Sequence, residues 1–287
     1  MYAISHKAKR NTVRILITVL MGIFCIAMLV PFAWMLSASF KRPLDVMELP
    51  IRWIPEYFYP DNIINVWNIG GVSRINYQFD TAYLNSIKIS TICMLGAVLS
   101  SSLAGYAFAK IPFKGANLVF VFYLATMMIP SQVTLVPRFV IFSALNMTGS
   151  HWPLILPGLI NVTGTFMMRQ AYTQIPNEMR ESAFIDGASE IRIWWQIIMP
   201  MARASMAALA MVVFLFTWKD YLDPLVFLSK RSLYTIPVSL NNFIQESTTE
   251  YNLIMAASAS ALLPVFVVFL CGQKFFVKGL TAGAVKG

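Results

Sequence analysis

Charge is scarce in this sequence. Asp, Glu, Lys and Arg make up 12% of its 287 residues, about half the share of an average soluble domain, which is roughly 25%. A soluble fold of this length needs far more polar surface, so much of the chain must face something other than water. Cysteine and histidine are scarcer still. Cys25, Cys93 and Cys271 all fall in apolar stretches, where a free thiol behaves as a small hydrophobe, and no disulfide framework is implied. His6 and His151 are the only histidines, and no group of His, Cys or carboxylate stands at ligand spacing, so neither a metal centre nor a hydrolytic triad is expected. A Gly-x-x-x-x-Gly-Lys-Ser/Thr segment is missing too, so the chain is not expected to cradle nucleotide phosphates itself. These absences together argue against an enzyme in its own right.

What is present is apolar length. Residues 15 to 40, 89 to 109, 115 to 137, 139 to 168 and 251 to 273 carry no charged side chain, and each is long enough to cross a bilayer as a helix of about 20 residues. The run from 139 to 168 divides at the polar turn Asn146 to His151, with Pro153 suited to a helix start. The pattern predicts an all-α polytopic membrane protein with six transmembrane helices, at about 15 to 36, 82 to 108, 118 to 143, 152 to 170, 205 to 228 and 252 to 273. The remaining segments are a short N-terminus, 1 to 14, a first loop, 38 to 81, a loop at 171 to 203, and a tail, 274 to 287. A cleaved signal peptide is the competing reading of the first 40 residues, but the apolar stretch exceeds the 7 to 15 residues or so of a signal core.

The net charge of +9 fits this topology better than a nucleic-acid surface. With the N-terminus inside, thirteen of the 22 Lys and Arg fall on the inner segments and six on the outer loops, which puts both termini in the cytoplasm by the positive-inside rule. Of the basic residues left within spans, Lys88 and Arg138 stand near the outer surface and are expected to snorkel. Lys219 and Asp223 are four apart and are expected to pair along the fifth helix. Lys219, Asp220 and Asp223 suit either a transport path or a paired structural role. The first outer loop, with prolines at 43, 50, 55 and 60, is too short and too broken for a core of its own. It reads equally as a cap, a docking surface or a loop packed on its own helices.

Between the fourth and fifth helices, Ile175 to Ser189 reads as helix, turn, helix. Pro176 suits a helix start, Asp186 and Gly187 a stop, Ser189 a cap, and Pro200 an end or kink. Met179, Ala183 and Phe184 are expected on one face, flanked by Glu178, Arg180 and Glu181. Such a helix fits a partner's groove and a membrane surface equally well.

The segment Glu181-Ser182-Ala183-Phe184-Ile185-Asp186-Gly187-Ala188 resembles the Glu-Ala-Ala loop of permease subunits of bacterial ABC importers. Ser102 to Phe113, Met128-Ile129-Pro130, Trp218-Lys219-Asp220-Tyr221 and the ending Lys278 to Gly287 are similar to the sugar-importer branch, the last to the maltose-type second permease subunit. Ser182 stands where the family usually has alanine, Ala204 where proline commonly follows the loop, and Lys219 where asparagine usually follows Trp218.

The resemblance implies a type I ABC importer permease fold in the bacterial cytoplasmic membrane, forming half of a translocation pathway for a sugar or oligosaccharide. It implies partners as well: a homologous permease, two copies of an ATPase that binds ATP and Mg, and an extracytoplasmic solute-binding protein. It assigns ATPase coupling to Glu181, Ser182, Ala183, Phe184, Asp186, Gly187 and Ala188, and a further ATPase contact to Lys278, Gly279, Gly283, Lys286 and Gly287. Trp218, Lys219, Asp220 and Asp223 are the candidates for the substrate path. The rivals are an ion-coupled transporter, which needs an ionisable relay and usually internal repeats that are not evident here, a membrane scaffold, and a permease for a non-sugar solute.

Overall fold

A computed structural model describes residues 2–68, 78–246 and 250–284, and among these no strand occurs. Three helices are long and apolar enough to cross a membrane unbroken: Val13–Ser39 within α1 (Tyr2–Ser39), α3 (Phe79–Lys110), and Tyr251–Lys274 within the last helix, Tyr251–Ala284. They match the first, second and sixth expected spans. The last helix continues past its expected end at 273, through Lys278, Gly279 and Gly283.

The other three expected spans are not continuous, and here the sequence reading is corrected. The third is α4 (Ala116–Ala125) with a 3₁₀ turn to Met128, then α5 (Ser131–Ala144), bent by 94°. Pro130 is the cause: it disfavours helical geometry in the residue before it, and Ile129 is extended at φ −85°, ψ 114°. The fourth is α6 (Trp152–Gly158) followed by α7 (Val162–Thr173). Asn161 is extended and its side chain accepts from the Gly164 N–H at 2.6 Å, so it starts a new helix. The loop after α7 holds α8 (Asn177–Ile185) and α9 (Glu190–Met201), and α9 turns by 83° into α10 (Arg203–Trp218). After Trp218 the chain leaves the helix before α11 (Leu222–Phe227). Pro224 lies four residues beyond Asp220, whose carbonyl it can neither bond nor approach, so α10 cannot run on. Among the described residues there are, by length and composition, three helices able to span, or up to five spans if each bent pair counts as one.

The contacts divide the chain into two units. In residues 1–75 with 243–260, the first loop has a hydrogen-bonded interior. Asn62, fully buried in α2 (Asp61–Val66), donates to the carbonyls of Ser39 at 2.9 Å and Lys41 at 2.7 Å and accepts from Asn252 at 2.6 Å. Lys41 is buried as well, donating to the Arg52 carbonyl with its ammonium 4.1 Å from the Trp34 ring centroid; burial lowers its pKa despite Asp45 and Glu48. The loop packs on its own helices, as one of its readings expected.

In the second unit, α3, α7 and α10 form the centre, with Tyr106, Met168, Tyr172 and Ile198 fully buried. Close approach rests on small residues. A Cβ on Gly105 would lie 2.7 Å from Met168 Cβ and 2.9 Å from the Arg169 backbone nitrogen. The serines of α3 have a second task, because a broken helix frees carbonyls that lipid cannot satisfy. Ser100 does this for the Leu159 carbonyl at the α6–α7 break, donating to it at 2.6 Å, and Ser101 adds a bond of 3.1 Å to the Asn161 carbonyl, which already accepts from the Thr165 N–H.

Candidate functional site

The helix-turn-helix loop forms as its local sequence dictates. Pro176 is extended and precedes α8, and Gly187 sits at φ +81°. The Ala188 N–H bonds the Ala183 carbonyl and the Gly187 N–H bonds the Phe184 carbonyl, each at 3.0 Å, the paired pattern of a Schellman stop. Ser189 caps α9 by accepting from the Arg192 N–H at 3.4 Å. The expected shared face of Met179, Ala183 and Phe184 is corrected. Ala183 is buried in the core, whereas Phe184 is 59% and Ile185 84% exposed. Glu181, Ser182, Asp186 and Gly187 are exposed beside them, and Ala188 is half-buried. The apolar knob is therefore Phe184 and Ile185, with Ala183 as its root.

Two anchors of this loop were missed in the sequence. Arg180 of α8 pairs with Glu190 at the start of α9, through Nη2 to Oε1 and through Nε to Oε2 at 3.2 Å, and Tyr106 of α3 donates to the same carboxylate at 2.5 Å. The bond to Glu190 raises the already high pKa of Arg180, which keeps its charge. At the end of α3, Lys110 is buried and donates to the Ile175 carbonyl and, at 2.7 Å, to Asn177 Oδ1. These bonds tie α8 to both ends of the loop and to α3. Breaking a partly buried pair leaves one charge uncompensated. Glu190→Ala and Arg180→Ala should each lower the unfolding temperature in detergent, and the double variant should lose less than their sum, with a coupling of about 1–3 kcal/mol. Additive losses would show that the pair does not hold the loop.

The second candidate lies where three helix breaks meet. A cavity of about 700 Å³ is bordered by Ser131 at the α4–α5 break, Asn161 at the α6–α7 break, and Lys219 and Asp220 after α10, with Ser86 and Ser90 of α3 opposite. At 1.5 Å per residue, these serines stand about 10 and 16 Å from the N-terminal end of α3, within the span. Arg138 of α5 meets Asp223 with two parallel bonds of 2.7 and 2.8 Å. This overturns two expectations. Arg138 does not simply snorkel, and Asp223 does not pair with Lys219, because the helix ends at Trp218 and the four-residue spacing no longer spans one turn. The Lys219 ammonium lies 4.3 Å from the Phe216 ring centroid instead. Lys219, Asp220 and Asp223 line the cavity. Trp218 is not among its lining residues: it is buried, stacks on Phe214 and donates to the Ala261 carbonyl at 3.2 Å. Of the tail residues, Lys278, Gly279 and Gly283 lie on the backbone of the last helix, while Lys286 and Gly287 lie outside the described residues.

Neither place is arranged for bond-making chemistry. One offers a surface knob tied to the core and the other a polar hollow among broken apolar helices, a combination that fits a subunit of a membrane transport system. Residues 97–282 match the family described as binding-protein-dependent transport system inner membrane component, and the chain belongs to that family. It is a multi-pass permease subunit of an ABC importer, not an enzyme. It is 31% identical to the arabinooligosaccharides transport system permease protein AraQ of Halalkalibacterium halodurans, over 90% of this chain and 91% of that one. It is also 31% identical to the sn-glycerol-3-phosphate transport system permease protein UgpE of Yersinia enterocolitica, over 91% and 96%. Its fold is similar to that of a chain in the crystal structure of a bacterial ABC transporter involved in the import of the acidic polysaccharide alginate, with a TM-score of 0.79, 20% identity and coverage of 91% and 95%.

Proposed function

We propose that this chain forms half of the translocation pathway for a sugar or oligosaccharide, and that Glu181 to Ala188 take up the motion of a separate ATPase. The observation that carries this is the exposed Phe184–Ile185 knob on a helix tied to the core through Asn177, Arg180 and the buried Ala183. An apolar knob held this firmly suits a groove in a moving partner better than a fluid membrane surface. Motion at α8 would travel through Glu190 into α9 and α10, whose end lines the cavity. The partners are a homologous permease, two ATPase subunits holding ATP and Mg, and an extracytoplasmic solute-binding protein, with both termini of this chain in the cytoplasm. The tail from Lys278 to Gly287 makes a second contact with the ATPase.

Purification of the tagged chain in mild detergent should bring down an ATPase in fixed stoichiometry. Phe184→Glu with Ile185→Glu should reduce that retention about tenfold or more while leaving membrane insertion intact. Removal of Thr281 to Gly287 should weaken retention less. An ATPase retained in full by the Glu variant removes the knob from the interface, and no ATPase with the parent chain overturns the reading, as an ion-coupled carrier needs none.

A further inference from the structure

We propose that Ser102 is a positioning residue for coupling: its hydroxyl ties α9 to α3 and α7, so that a displacement of the loop from Ile175 to Ser189 moves these two core helices with it. This rests on the transport reading above and names the residue of this chain through which the loop grips the core. Three observations lead to it.

The first is spacing. Ser102 and Tyr106 stand four apart on α3, and Glu190 and Trp194 four apart on α9, so the members of each pair face the same way, one turn apart. The Trp194 N–H bonds the Glu190 carbonyl, which keeps that turn helical. The two pairs meet. Tyr106 donates to Glu190 Oε2 at 2.5 Å, and the Trp194 indole N–H donates to Ser102 Oγ at 3.0 Å. One such bond would let α9 pivot on α3, whereas two bonds about 6 Å apart along the axis fix its direction as well.

The second is hydrogen-bonding capacity. An indole N–H has a single bond to give, and a hydroxyl carries one proton and two lone pairs. Ser102 Oγ takes the bond from Trp194 and shares another, of 2.5 Å, with the Tyr172 hydroxyl of α7. Three helices thus converge on one side-chain oxygen. Ser102 and Tyr172 are fully buried and Trp194 is 8% exposed, so loss of that oxygen leaves the indole N–H without water to replace it. The Tyr106 and Tyr172 rings meet edge to face with centroids 6.4 Å apart, which joins the two bonded levels.

The third is the shape of α9 just beyond. Trp194–Ile198 form a π turn, in which the Met199 N–H reaches back five residues to the Trp194 carbonyl. Pro200 accounts for it, because it has no N–H for the Gln196 carbonyl and its ring excludes that carbonyl from helical distance, so the helix widens. The regular part of α9 therefore ends where Trp194 is reached. Past it come the widened turn and the 83° bend into α10, the places where α9 can yield. A push arriving at Glu190 is delivered to α3 and α7 at Ser102, ahead of that yielding part. Gly105 lets α3 and α7 pack closely enough to move together.

The test uses the whole importer, with its ATPase, partner permease and solute-binding protein, in proteoliposomes. A mixture of neutral mono-, di- and trisaccharides and sn-glycerol 3-phosphate is offered, and the solute that enters with the parent chain is identified by mass spectrometry. ATP hydrolysed per molecule of that solute is then measured. Ser102→Ala should raise this ratio about fivefold or more while ATPase retention stays that of the parent. Trp194→Phe should do the same, and the double variant should go no further than the larger single effect, since both substitutions remove one bond. An unchanged ratio in Ser102→Ala, or effects that multiply in the double variant, overturns the proposal. So does loss of the ATPase from all three variants, which would make the hydroxyl a support of the loop's fold alone. Each of these outcomes leaves the importer reading standing, and that reading fails instead if no ATPase accompanies the parent chain.

Discussion

Gly187→Val should leave the subunit inserted in the membrane yet reduce ATP-driven uptake at least tenfold, whereas Gly187→Asn should keep most of it. The contrast follows from the backbone alone. At φ +81° an added Cβ meets no atom within 4 Å, so steric crowding by neighbours is not the issue. The left-handed conformation costs an ordinary residue about 1–2 kcal/mol, more for a β-branched side chain, while asparagine is among the residues that adopt it most readily. To escape the strain, valine would pull the chain toward right-handed geometry. That breaks the bonds from the Gly187 and Ala188 N–H groups to the Phe184 and Ala183 carbonyls. Phe184 and Ile185 then lose the fixed direction in which they project. Uptake in proteoliposomes, together with ATPase retention, checks the outcome. Normal uptake by the valine variant would separate the turn from coupling.

The loop from Ile175 to Ser189 was legible because its signals are local. Pro176, Gly187 and Ser189 each act on the one or two turns around them, and each does in the structure what its residue type favours. The bonds that give the loop its stiffness were not legible. Tyr106 and Glu190 stand 84 positions apart, and no periodicity connects them. The broken spans failed to show for a different reason. A count of charge-free residues cannot tell a straight helix from two helices joined by an extended residue, and the run from 115 to 137 contains Pro130 without betraying a 94° bend. The serines of α3 looked like small residues in an apolar helix. Their role follows only once the Leu159 carbonyl is known to lack a helical partner at the α6–α7 break. Arg138 was read from its depth along the chain, which said nothing of a carboxylate 85 residues away.

That pair carries the largest expected effect on stability. Arg138 and Asp223 are about three-quarters buried, with side-chain exposures of 21% and 24%, and each satisfies the other through two bonds. Removing one partner leaves a charge in a poorly solvated place, which costs about 3–5 kcal/mol when burial is complete. Asp223→Leu alone, or Arg138→Met alone, should therefore lower the unfolding temperature in detergent by roughly 5–10 °C. The double variant Arg138→Met with Asp223→Leu has no charge to strand and should recover most of that loss, since replacing a buried ion pair by apolar side chains is often neutral. Transport should not recover with it. The double variant lacks both charges at the cavity wall, so ATP-driven uptake should stay at least tenfold below the parent. A double variant as unstable as the single ones would show that Arg138 and Asp223 support the fold independently and not as a pair.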